Sequence, residues 1–115
     1  MKKELPEIKV KLERCMPGER AVPEQSEEMS NLGLRTKLGG KPDEIQDDEI
    51  PVCNSCGEKM VFIAQIDSIE HWSDNNPLSR NPIEEEQNYM FGDVGMIYVW
   101  FCFECCETKS TFQCY

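Results

Sequence analysis

Two cysteine pairs constrain this chain more than anything else in it: Cys53-Asn54-Ser55-Cys56, followed by Gly57, and Cys102-Phe103-Glu104-Cys105. Two residues between thiols let one tight turn aim both sulfurs at a single point. Four thiolates are the tetrahedral set that a structural zinc ion takes, with Zn–S about 2.3 Å. Gly57 fits that reading, because glycine admits the positive φ with which such a turn leaves a metal. The spacing therefore predicts that Cys53, Cys56, Cys102 and Cys105 hold one structural Zn2+. Cys106 is the alternative fourth ligand, although the two-residue spacing favours Cys105.

The 45 residues between Cys56 and Cys102 exceed the roughly 15–20 of a compact zinc ribbon. Antiparallel strands can close that gap. Met60-Val61-Phe62-Ile63-Ala64-Gln65-Ile66-Asp67 reads as a buried strand opened by the first pair, and Met96-Ile97-Tyr98-Val99-Trp100-Phe101 as a β-prone strand closed by the second. Pairing them brings both pairs to one end. Gln65 interrupts the first run, and a buried amide needs partners, so it is expected to brace a neighbouring loop. Rival readings of the thiols are a redox C-x-x-C and a dispersed set of packed cysteines. Redox activity favours a thiol at a helix N-terminus, and neither pair opens a helical pattern.

At 115 residues the chain is expected to form a single domain over 1–115, with a strand and loop over 1–33 ahead of a core over 34–115. Alternation of Ile8, Val10 and Leu12 with charged neighbours predicts an opening strand over 7–13. Pro17-Gly18 and Pro23 punctuate a loop over 14–30, where Cys15 has no spaced partner. Gly39, Gly40 and Pro42 fix an irregular loop with Lys37 and Lys41 nearby, but no Gly-Lys-Ser/Thr phosphate motif is present. Residues 68–88 form a long polar insertion in which His71 is a lone histidine and Glu84-Glu85-Glu86 a solvated edge. Gly92-Asp93-Val94-Gly95 is a turn, and a final short strand is expected over 110–115 with Phe112 and Cys114 facing inward. The expected fold class is mainly β, a β-rich α+β domain: a small antiparallel sheet with a zinc-ribbon-like four-cysteine site and a long inserted loop.

Charge bears on partners. The net charge is −10, and it is uneven: residues 1–42 carry nine Lys/Arg against seven Asp/Glu, residues 43–115 three against fifteen. The cysteine-bearing segment is the acidic one. That argues against nucleic acid, whose affinity comes from Lys and Arg on phosphates, and is compatible with a basic protein partner or with plain solubility. No apolar run approaches the roughly 18 residues of a membrane span, and the start Met1-Lys2-Lys3-Glu4 is not a signal-peptide core. A cytoplasmic location is expected, where reduced thiols point to metal before disulfides.

The strings Lys37-Leu38-Gly39-Gly40-Lys41-Pro42-Asp43, Cys53-x-x-Cys56-Gly57, Phe62-Ile63-Ala64-Gln65-Ile66 and Asp93-Val94-Gly95-Met96-Ile97-Tyr98-Val99-Trp100 resemble the YwqG-like family of uncharacterised bacterial proteins. Their order is also similar to that of the eukaryotic programmed-cell-death-two family. The resemblance covers about residues 34–115, with Glu44 where an aromatic is often expected. It implies a β-rich binding module without an established reaction, some relatives being linked to toxin immunity and others to chaperoning a basic ribosomal protein. It implies the zinc role for the same four cysteines. A single module, a truncated relative or half of a homo-oligomer all fit the length.

Two functional classes follow. One is a non-enzymatic, zinc-binding protein-interaction module with an acidic face, chaperone-like or immunity-like. The other is an enzyme with a pocket under the 68–88 loop, which would need an activated nucleophile or an open metal position.

Overall fold

The computed structural model describes residues 4–5, 7–22, 35–43, 50–69, 89–92 and 95–114. Four strands form one sheet: β1 (Lys37–Leu38), β2 (Val61–Asp67), β3 (Met96–Cys102) and β4 (Glu107–Gln113). Their spatial order is their chain order, and every pairing is antiparallel. The mainly-β expectation is met.

Apolar, β-branched and aromatic side chains make β2 and β3 the centre of the sheet. Their register pairs Phe62 with Trp100 and Asp67 with Met96, with a bulge between Phe62 and Ala64. Met60, Phe62, Met96, Tyr98 and Trp100 form the core with Cys53 and Cys102. Phe62 meets Trp100 edge-on at 5.5 Å and Tyr98 at 6.4 Å, tilted arrangements that aromatic quadrupoles favour. The core therefore lies on one side of the sheet and ends in cysteine.

Gln65 does brace a loop. Fully buried, its amide donates to the Arg35 carbonyl (2.6 Å) and the Asp43 carboxylate (3.0 Å), and its oxygen accepts from the Asp43 N–H (2.9 Å). Tyr98 Oη donates to the Asp43 carbonyl at 2.8 Å, and Lys37 pairs with Asp43 at 2.9 Å. These bonds clamp the glycine loop over β2 and β3, while the Gly39 N–H donates to Ile63. Gly39 and Gly40 both have positive φ, 68° and 72°, so the double glycine is a conformational requirement of the loop. Lys37 is spent on Asp43 and on the Lys41 carbonyl, so the structural reading of this loop accounts for its lysine.

Beneath the loop lies an ion pair that sequence reasoning missed. Arg35 and Asp67 are 2% and 0% exposed, with Arg35 Nη2 to Asp67 Oδ1 at 2.6 Å and Nε to Oδ2 at 3.1 Å. The Arg35 N–H also donates to Oδ2, and the Asp67 N–H to Thr36 Oγ1. The carboxylate that closes an otherwise apolar strand was the available signal, since a buried charge requires a partner.

Three expectations need correction. Residues 7–13 form no strand and Val10 and Leu12 are exposed: alternation defines a face, but no strand among the described residues pairs with it. The last strand begins at Glu107, because the second cysteine turn itself reverses the chain and pairing with β3 resumes at once. Phe112 points away from the core and is 49% exposed, while its neighbour Gln113 is buried. In addition, residues 70–88, with His71 and the acidic triplet, and Glu44 lie outside the described residues.

Candidate metal centre

The first cysteine pair is the tip of a short hairpin. Val52 bridges Lys59, the Cys53 N–H donates to the Glu58 carbonyl and the Met60 N–H to Pro51. Gly57, at φ 77°, turns the chain and donates its N–H to the Cys53 carbonyl at 2.9 Å. The second pair is the β3–β4 turn. Cys106, at φ 57°, donates its N–H to the Cys102 carbonyl at 2.8 Å. Two turns of one design thus face each other.

Antiparallel pairing of β2 with β3 brings both turns to the same end of the sheet, as the spacing argument required. The sulfurs of Cys53, Cys56, Cys102 and Cys105 lie within 4.8 Å of one another, and Cys56 Sγ is 3.6 Å from Cys102 Sγ. Sulfurs on a tetrahedral zinc with 2.3 Å bonds would stand about 3.8 Å apart, so one ion fits the group with small adjustments. Cys106 is exposed and outside the group, as is Cys15, and none of the seven cysteines is in a disulfide. Among the described residues this is the only group of three or more Cys, His, Asp or Glu side chains close enough to hold a metal.

Crowding sets the protonation of these thiols. N–H groups of Cys105 and then Glu104, aided by neighbouring thiols, hold Cys102 below the ordinary thiol value. For Cys56 the Glu58 N–H pulls down, but lost hydration and the adjoining sulfurs raise it overall. Cys105 is pushed up to about 12, first by Cys56 and then by lost hydration and Cys53. The metal-free group thus favours few thiolates, and a dication is the charge that would let all four ionise.

Glu107 sits at the rim of the group. Its Oε2 lies 3.5 Å from Cys53 Sγ, and its Oε1 accepts from the Ser55 hydroxyl. Lys109 Nζ reaches the Val52 carbonyl at 3.2 Å. Both residues come from β4 and tie the first turn to the strand that follows the second, which joins the two halves independently of a metal. Neither was singled out in the sequence, where an acid and a lysine after a cysteine pair carry no specific signal.

No protein-family model matches the chain, and no solved structure matches it. It is similar to the uncharacterised protein YpfL of Salmonella typhimurium strain LT2, with 31% identity over 106 residues. That alignment takes in 92% of this chain but only 21% of the Salmonella protein, so the chain spans about one fifth of that relative's length. No helix among the described residues is long and apolar enough to cross a membrane.

Proposed function

We propose that the chain is a zinc-stapled, non-enzymatic protein-interaction module of the cytoplasm. The observation that carries the metal assignment is the convergence of four cysteine sulfurs, two from each of two like turns, within 4.8 Å. All-sulfur tetrahedral donation suits zinc and, in a structural site, fills its coordination shell, so a catalytic water has no place there. Zinc here would lock the end of β2 to the end of β3 and so contribute directly to folding.

The resemblance to the YwqG-like and programmed-cell-death-two families supports a binding role, and the acidic half of the sequence makes a basic protein the favoured partner. Elemental mass spectrometry on protein purified without added zinc tests the metal: one zinc per chain is expected, and a metal-free, fully folded protein defeats the reading. Salt-sensitive recovery of basic proteins in pull-downs tests the partner.

A second reading rests on the 3.6 Å between Cys56 and Cys102, the latter held low in pKa. An oxidant could join that pair as a disulfide in a metal-free protein. Thiol titration after mild oxidation separates the two: the zinc reading expects four thiols protected together by metal, the redox reading the loss of two thiols and their return on reduction.

A further inference from the structure

The sheet has a second face, and its composition differs sharply from the first. Met96, Tyr98, Trp100 and Cys102 point into the core. Residues directly opposite them point the same way, and the alternating residues point away. Sorted by this register, Lys37, Asp67, Glu107 and Lys109, which are all the charged residues of the four strands, fall on the core side. Leu38, Val61, Ile66, Val99 and Phe112 fall on the other. In a chain that is 30% charged, the outer face of the sheet carries no charged strand residue.

That face extends to the candidate metal centre. Phe101 stands on it and stacks edge-on with Phe103, at 4.8 Å, in the second cysteine turn. Phe103 and Leu38 are 66% and 64% exposed, and Val61, Ile66 and Phe112 are exposed too. A large aromatic side chain carries on the order of 150–250 Å². With a third to two-thirds of five large apolar side chains in water, the face presents on the order of 500 Å² of apolar surface, at the upper end of what a lone soluble domain leaves bare.

We infer that this face is a self-association surface, on which a second copy of the chain packs sheet against sheet about a twofold axis. Area and charge select that occupant. A stable pair needs about 800 Å² from each chain, with an apolar fraction of about 65% in homodimers, and an apolar centre of about 500 Å² supplies that fraction, with polar rim residues such as Thr108 and Ser110 adding to the remainder. Two chains of charge −10 repel across most of their surfaces. The described strand residues of this face let two copies meet without burying a carboxylate, and offer a basic partner no acid. Two four-stranded sheets stacked about 10 Å apart make a sandwich, the usual way an apolar sheet face is covered. The inference concerns a different surface from the acidic one in the proposed function and does not depend on it.

Light scattering on the purified 115-residue chain, run beside the variant Val61→Glu/Phe103→Glu, provides the test. The native chain is expected to have the mass of two chains, and the variant the mass of one, with unchanged metal content and a melting temperature that no longer depends on protein concentration. If the double-glutamate variant fails to fold, Val61→Thr/Phe103→Ser is used, and a dimer at least tenfold weaker is expected. A native chain that keeps the mass of one chain up to about 100 µM, where a micromolar pair would be assembled, overturns the inference. So does a folded variant that dimerises like the native chain, and so does a native monomer that uses this face only to capture a different protein.

Discussion

Gly57 and Cys106 occupy the same place in two copies of one turn. Each follows the second cysteine of its pair, has positive φ, and donates its N–H to the carbonyl of the pair's first cysteine. The first copy uses the residue best suited to that conformation. The second uses a side chain that costs about 1–2 kcal/mol there, so Cys106→Gly should stabilise the protein by about 0.5–1 kcal/mol after the extra flexibility of glycine in the unfolded chain is counted. Urea unfolding measures this, and metal content should not change. Loss of metal in Cys106→Gly would instead make Cys106 the fourth ligand in place of Cys105.

Metal removal should be far more damaging than any such change. Structural zinc contributes on the order of 10–16 kcal/mol, comparable to the whole stability of a small domain. Melting followed with and without a strong chelator is expected to show the transition broadened and moved to much lower temperature on chelation. Cys56→Ser and Cys102→Ser should give insoluble protein, and Cys15→Ser, at an exposed position outside the group, should behave as native. Equal tolerance at all three positions would refute the assignment.

Acidity should act in opposite directions on the two forms. In the metal-free chain, Cys56 and Cys105 have raised pKa values, Cys105 about 12. A raised acid stabilises the folded state only while it is protonated, so this contribution is present below the ordinary thiol pKa and fades as pH climbs toward 12. The lowered Cys102 works in reverse, adding stability above the ordinary thiol value that is lost as pH falls through its own. With two groups raised and one lowered, the metal-free chain should melt at falling temperature above about pH 8.5. The metal-loaded chain should weaken on acidification instead, as protons compete for sulfur. Loading at pH 7 should release about three to four protons, which an indicator dye reads directly.

The Arg35–Asp67 pair predicts a large and asymmetric mutational effect. Asp67→Asn removes the charge that faces a buried guanidinium and should cost about 3–5 kcal/mol, whereas replacing both partners with apolar residues of similar volume should cost much less. Chemical denaturation of the single and double variants checks this. Additive losses would mean that the two residues act separately.

The convergence of the four cysteines was legible in the sequence because its determinants are local. A two-residue spacing fixes a turn, and a glycine after it fixes the exit. The strands at 61–67 and 96–102 were legible because β-branched and aromatic residues are concentrated there. What escaped depended on contacts between distant residues. Arg35 meets Asp67 only after β1 pairs with β2, and Glu107 reaches Ser55 only after both turns reach one end. The strand expected over 7–13 failed for the same reason, since its alternation was clear but no strand among the described residues pairs with it. Phe112 was placed on the wrong face because its apolar side chain suggested burial, whereas its pairing with Ile97 puts it on the face away from the core.

The end of the sheet opposite the cysteines has its own fastening. Ser68 Oγ donates to the Gly95 carbonyl at 2.6 Å and accepts from the Phe91 N–H at 3.1 Å, and Ile69 and Tyr89 exchange both backbone bonds. The chain therefore leaves β2 and returns to β3 through a tied neck, a full strand length away from the sulfurs. Loop closure depends only weakly on the length of what lies between fixed ends. Nature or an engineer could lengthen, shorten or exchange the stretch beyond the neck while the cysteine end keeps its shape. The sheet is thus fastened separately at its two ends, by the hydrogen bonds of the neck at one and by the two cysteine turns at the other.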